Sequence, residues 1–113
     1  MKEIKAIIKP QMLGRVVKAL HELPHFPGLT FSDVHGQGRG RGASGSFVLS
    51  AENLFFHPKK KIEIVAADDI AESIVDTIRR AAHTGTNGDG LIIVTEIIQT
   101  VRIRTGEAQN EAL

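Results

Sequence analysis

The pattern that most restricts this chain is a strand–helix–strand order that occurs twice, once on either side of a glycine-rich stretch. Glu3-Ile4-Lys5-Ala6-Ile7-Ile8-Lys9 alternates, setting Ile4, Ala6 and Ile8 on one face of a strand and Ile7 on the other. Pro10 ends that strand and suits the first turn of a following helix, where its missing N–H costs nothing. Leu13, Val16, Val17 and Leu20 recur at helical spacing and predict an amphipathic helix over about Gln11 to Leu23, stopped by Pro24 and Pro27. Gly28 opens a second strand, Leu29 to His35, in which Leu29, Phe31 and Asp33 alternate with Thr30, Ser32 and Val34. The second unit begins with a strand from Lys61 to Ala67, entered through Pro58-Lys59-Lys60. Asp68 or Asp69 is the expected cap of the next helix, since Asp69 and Glu72 have capping-box spacing. Ile70, Ile74, Val75, Ile78 and Ala81 or Ala82 form its apolar stripe. The helix breaks at Thr84 to Gly90, and Leu91 to Ile98 reads as a buried fourth strand.

Two such units on one sheet describe an α+β, ferredoxin-like sandwich, βαββαβ, with a four-stranded antiparallel sheet. Right-handed crossovers put both helices on one face. Ile7 and the apolar run from Leu91 to Val94 leave the opposite face partly apolar, so self-association is expected. At 113 residues, 42% hydrophobic and 24% charged, the chain suits one globular domain, 1–113. The lack of cysteine removes disulfides, thiolate metal sites and a cysteine nucleophile. A net charge of +1 gives no overall field toward nucleic acid or membrane, and no stretch approaches the roughly 18 apolar residues of a membrane span. The N-terminal segment lacks a signal-peptide core, so a soluble, cytoplasmic chain is expected.

The segment from Gln37 to His57 is long for a connection in a compact domain, and residues 36–45 hold five of the eleven glycines. It reads as a functional loop; the alternative is an extended hairpin with short strands around Phe47-Val48-Leu49 and Leu54-Phe55-Phe56. No acidic residue lies between Asp33 and Glu52, so Arg39 and Arg41 make the loop base cationic. Gly40 to Gly45 matches G-x-G-x-x-G formally, but no helix pattern follows to hold a phosphate, and the match is discounted.

Thr84-Gly85-x-x-Gly88-Asp89-Gly90 can turn several backbone amides inward as an anion nest. It can equally be a glycine C-cap at Gly85 followed by a tight turn over Asn87 to Gly90. In extended backbone, Arg102 and Arg104 project to one side with Ile103 turned inward, and paired guanidiniums suit phosphate oxygens. Lys59 and Lys61 share a strand face in the same way. His21, His25, His35, His57 and His83 have no metal-ligand spacing, and no nucleophile–base–orienter set appears, so a non-enzymatic protein is expected.

Taken together, these blocks resemble the PII family of signal-transduction proteins, the regulators of nitrogen metabolism. The resemblance rests on Ile4-x-Ala6-Ile7-Ile8-Lys9-Pro10, Gly28-Leu29-Thr30, Gly36-x-Gly38-Arg39 and Pro58-Lys59-x-Lys61-Ile62-Glu63. It continues through Ala67-Asp68-Asp69, Thr84 to Gly90, and Arg102-Ile103-Arg104-Thr105-Gly106-Glu107. It implies a homotrimer with ATP, ADP or AMP held between neighbouring copies. A T-loop over about 37–57 would engage a protein target, such as a transporter or metabolic enzyme, with a B-loop at 84–90 and a C-terminal loop at 102–107. By position, Ile7, Gly36, Gly38, Arg39, Val65, Thr84, Gly85, Gly88, Asp89, Gly90, Arg102 and Arg104 inherit nucleotide contacts, with Leu29 and Thr30 near the adenine. Lys59 falls where the family pairs a lysine with 2-oxoglutarate.

Some positions depart from the family pattern. Gly40 stands where a glutamine helps hold Mg²⁺ and 2-oxoglutarate, and Leu91 where a lysine reaches the phosphates. Glu52 replaces a tyrosine that many relatives carry for uridylylation, and Ser50 aligns with a serine phosphorylated in some. The expectation is a divergent branch that binds adenine nucleotide with little help from Mg²⁺ or 2-oxoglutarate. The rival readings are a metal-handling trimer like the copper-tolerance CutA group, through His25, His35 or His57, and a small RNA-binding module using Arg39, Arg41 and the lysine run.

Overall fold

The computed structural model describes residues 1–38 and 56–113. β1 (Lys2–Ile8) leads through a 3₁₀ turn (Pro10–Met12) into α1 (Leu13–His21), and β2 (Thr30–Gly36) follows. The second unit is β3 (His57–Ala66), α2 (Asp68–Ala82) and β4 (Leu91–Glu96), and a closing 3₁₀ turn spans Gln109–Ala112. The strands lie in the order β2-β3-β1-β4. Each adjacent pair is antiparallel, so β1 and β2 run parallel with β3 between them, and β3 and β4 run parallel with β1 between them. Each helix therefore crosses over one central strand, and the chain has the expected ferredoxin-like sandwich.

The alternation in β1 sorts as its sequence predicts. Ile4, Ala6 and Ile8 are buried beneath the helices beside Ile62, Ile64 and Ala66 of β3. Val16 and Leu20 of α1 and Ile74, Ile78 and Ala82 of α2 complete this core, with Leu13, Ile70, Val75 and Ala81 packed at its rim. Burying isoleucines of this size contributes about 1.5–3 kcal/mol each, which makes this layer the main source of stability.

Three local expectations need correction. The capping box does not form: Ala67 is the N-cap and no side chain caps α2. Asp68 instead sits 2.9 Å from the Met1 amino group, which holds its carboxyl below the usual range, while both Asp68 and Asp69 complement the helix dipole from the first turn. β3 begins at His57 and not Lys61, passing through Pro58 at a level where β1 has already ended and only β2 flanks it. β4 stops at Glu96 and is not buried: it pairs with β1 alone, and Leu91, Ile93 and Val94 are 55%, 39% and 45% exposed. An edge strand has one neighbour, and among the described residues no helix covers the sheet face away from α1 and α2.

That open face carries Ile7, Lys59, Lys61, Glu63, Val65, Leu91 and Ile93, along with Thr30 and Gly36 of β2. Residues 39–55, which include Arg39, Gly40, Arg41, Ser50, Glu52 and most of the expected T-loop, lie outside the described residues.

Candidate functional site

The open face ends in two clusters of polar groups. The first gathers where β1 leaves the sheet and β4 enters it. Gly90 has a φ of 99°, and a Cβ built on it would lie 1.7 Å from the Ile7 carbonyl oxygen, so the loop exits directly across the β1 backbone. No side chain fits there.

Within residues 84–90 the amides turn inward, and their acceptor is internal. The Asp89 carboxylate accepts the N–H groups of Thr84 and Gly85, both at 2.9 Å, and also the Thr84 hydroxyl. Those bonds, from the Thr84 hydroxyl and amide first, then the Gly85 amide and Lys9, hold the Asp89 carboxyl far below the ordinary carboxylate range against a smaller opposing effect of desolvation. The Lys9 ammonium donates to the Thr84 hydroxyl at 2.9 Å and to the Thr86 hydroxyl, and lies 3.2 Å from Asp89. Lys59 donates to the Gly88 carbonyl at 2.7 Å, and its stem lies 3.8 Å from where a Cβ on Gly36 would stand. α2 ends at Ala82 with His83 extended, so Gly85 is not its C-cap; the loop is ordered by Asp89 and not by a simple helix stop.

This cluster unites Ile7, Gly36, Lys59, Thr84, Gly85, Gly88, Asp89 and Gly90, all sequence candidates. Gly38 lies exposed two residues past β2, and Arg39 falls outside the described residues. Lys9 was missed by sequence reasoning. The available signal was its place at the exit of β1, directly after Ile7 and Ile8, but its partners lie 75 and 77 residues away.

The second cluster is a cavity of about 520 Å³ at the other end of the same face. Gly28, Leu29 and Thr30 form one wall, Val65 and Glu63 the floor, and Arg102 and Leu113 the far side. Leu29, Thr30, Val65 and Arg102 are thus brought together as expected. Glu63 and Glu3 join them unforeseen; Glu63 stands directly opposite Thr30 in the ladder, a pairing only the register reveals.

The arginine pair departs from its expected geometry. Residues 102–107 form a turn: the Arg102 N–H donates to the Glu107 carbonyl at 2.7 Å, and the Gly106 N–H to the Arg102 carbonyl at 2.8 Å. The Thr105 hydroxyl also donates to the Glu107 carboxylate at 2.9 Å. Backbone bonding across the turn replaces the extended run, so Ile103 is fully exposed instead of anchored, and Arg104 does not line the cavity. The histidines of the metal reading do not converge within the chain. His35 and His57 occupy neighbouring strands but project to opposite faces, and His25 precedes β2 at its far end.

The two clusters are about 13–20 Å apart along the sheet, from the four to six residues that separate their strand positions at about 3.3 Å each. One end supplies a hydrogen-bonded loop with two ammonium groups. The other supplies a cavity with apolar walls, carboxylates and a guanidinium.

Among the described residues no helix is long and apolar enough to cross a membrane. A family model described as Nitrogen regulatory protein P-II matches residues 1–107. Nitrogen regulatory protein P-II of Bradyrhizobium diazoefficiens is 45% identical over 113 residues, covering 100% of both chains. The protein of that name from Azospirillum brasilense is 43% identical, and nitrogen regulatory protein P-II 1 of Escherichia coli K12 is 45% identical, each over the full length of both chains. With a family match over nearly all its residues and relatives aligned from end to end, this chain belongs to the nitrogen regulatory protein P-II family of signal-transduction regulators.

Proposed function

We propose that the chain works as a homotrimeric regulator without catalytic activity, binding ATP, ADP or AMP in clefts between neighbouring copies and controlling a protein target through residues 37–57. The observation that carries this reading is the separation of two complementary half-sites on one uncovered sheet face. The cavity beside Leu29, Thr30 and Val65 offers apolar walls for a purine, with Arg102 at its edge. The loop at Thr84 to Gly90, held in place by Lys9, offers backbone groups and the Lys59 ammonium to the phosphate chain of a nucleotide shared with a second copy. A neighbour that covers Leu91 and Ile93 also brings its own cavity end toward this loop end. Burial of that apolar face supplies the driving force for assembly.

The placement of the two ends of the 37–57 segment supports the target-facing role. It leaves β2 directly after Gly36 and re-enters β3 beside Lys59, both in the loop cluster. A phosphate bound there acts on both roots of the segment, and its differential contacts shift the segment between arrangements. Nitrogen status is the signal proposed, in keeping with the names of the relatives.

Little dependence on 2-oxoglutarate is proposed. Gly40 has no side-chain oxygen for Mg²⁺, and Leu91 provides no ammonium. Titration calorimetry with ATP, ADP and AMP, alongside light scattering for the particle mass, tests the whole reading. A three-chain particle with nucleotide binding supports it; a monomer, or an assembly that binds none of the three nucleotides, defeats it. Repeating the ATP titration with Mg²⁺ and 2-oxoglutarate tests the last point, and a large gain in affinity would contradict it.

A further inference from the structure

Building on the nucleotide cleft of the proposed function, we propose that Lys9 and Asp89 form a coupled pair of positioning residues that shape the 84–90 loop before the nucleotide arrives and do not themselves bind it. This differs from the role implied for Asp89 by resemblance alone, and it adds Lys9 to the working parts of the site.

The argument is one of saturation. An ammonium has three donors, and Lys9 directs its own at the Thr84 hydroxyl, the Thr86 hydroxyl and the Asp89 carboxylate. A carboxylate has about four acceptor positions, and Asp89 takes the Thr84 amide, the Gly85 amide, the Thr84 hydroxyl and Lys9. Both side chains are only partly exposed, 15% for Lys9 and 26% for Asp89. Charge points the same way. A lone carboxylate in a phosphate-binding wall repels its ligand, and the Lys9 ammonium neutralises it where it stands. His83, the other titratable group beside Asp89, lies 3.8 Å away, beyond hydrogen-bonding distance. Lys59 donates to the Gly88 carbonyl from the strand side of the loop, outside the Lys9–Asp89 pair.

Asp89→Asn separates positioning from simple electrostatics because the two predict opposite signs. Removing a negative charge strengthens polyphosphate binding if charge alone matters. If Asp89 positions the loop, the same change weakens binding, because an amide oxygen holds two backbone donors and an ammonium poorly. Calorimetry with ADP on the intact assembly is expected to show about a tenfold or greater loss for Asp89→Asn and for Lys9→Met, the scale of a charged hydrogen bond. The double variant is expected to lose no more than the worse single, as for two groups acting as one unit. In the ligand-free protein, the amide proton resonances of Thr84 and Gly85 should shift upfield in both single variants, reporting the loop without any nucleotide. Unchanged or tighter ADP binding by Asp89→Asn, or losses that multiply in the double variant, would overturn the inference while leaving the cleft intact. Failure of the wild-type assembly to bind ADP, ATP or AMP would remove the cleft, and the positioning role with it.

Discussion

Gly90 crosses the backbone of Ile7 so closely that a Cβ on it would stand 1.7 Å from the Ile7 carbonyl oxygen, at a φ of 99°. This contact joins the end of the 84–90 loop to the first strand and sets where the loop lies on the sheet. Gly90→Ala must either move β1 or lift the loop, and both a left-handed backbone and a steric clash oppose it. The expected loss is about 3 kcal/mol or more, within the range of severe backbone effects. Gly14 in α1 is the contrasting case, with nothing within 4 Å of a built Cβ. Gly14→Ala is expected to stabilise by about 0.5–1 kcal/mol through helix propensity. Urea unfolding of the two variants side by side measures both.

Arg102 lines the cavity and Arg104 does not, although they are two residues apart. Arg102→Ala should therefore lower adenine-nucleotide affinity by about 10- to 100-fold, the scale of a lost charged hydrogen bond or two. Arg104→Ala should lower it less. Calorimetry with ADP decides, and equal losses would mean that the 102–107 turn rearranges on binding.

The depressed pKa of Asp89 gives stability a pH dependence of definite sign. A carboxyl that titrates lower in the folded than in the unfolded chain contributes fully above its unfolded pKa of about 3.9. The contribution declines as pH falls toward the folded value, because the unfolded chain then binds the proton first. Asp89→Asn should therefore be less stable than wild type near neutrality, with the gap closing as pH falls below about 4. Urea unfolding between pH 2.5 and 7 follows the gap; a constant difference would refute the assignment.

Ile93 lies 39% exposed on the uncovered sheet face, opposite Lys5 of β1. Ile93→Asp should leave the single-chain core intact, since no core side chain is removed, and should break the proposed assembly by placing an unpaired charge in its interface. Sedimentation velocity is expected to show a smaller particle with unchanged helical circular dichroism.

The sequence by itself determined the layers of this protein. Alternation in β1 and the helical spacing of Val16 and Leu20, and of Ile74 and Ile78, depend on a residue's near neighbours, and each of these side chains is buried where the period puts it. The glycines of 84–90 likewise marked a loop, while leaving open whether its amides turn inward or merely close a tight turn. What only the tertiary structure decided involves partners far apart in the chain. Asp89 as the loop's internal acceptor, Lys9 reaching it from 80 residues earlier, and Glu63 facing Thr30 all follow from register and crossover. The 102–107 turn shows the same limit at short range, since alternation predicts extended backbone while the Arg102–Glu107 and Gly106–Arg102 bonds fold it back. Local periodicity encodes which face a side chain prefers, because burial is felt residue by residue. Which distant group completes its hydrogen bonds is encoded only when strands pair and bring those groups into contact.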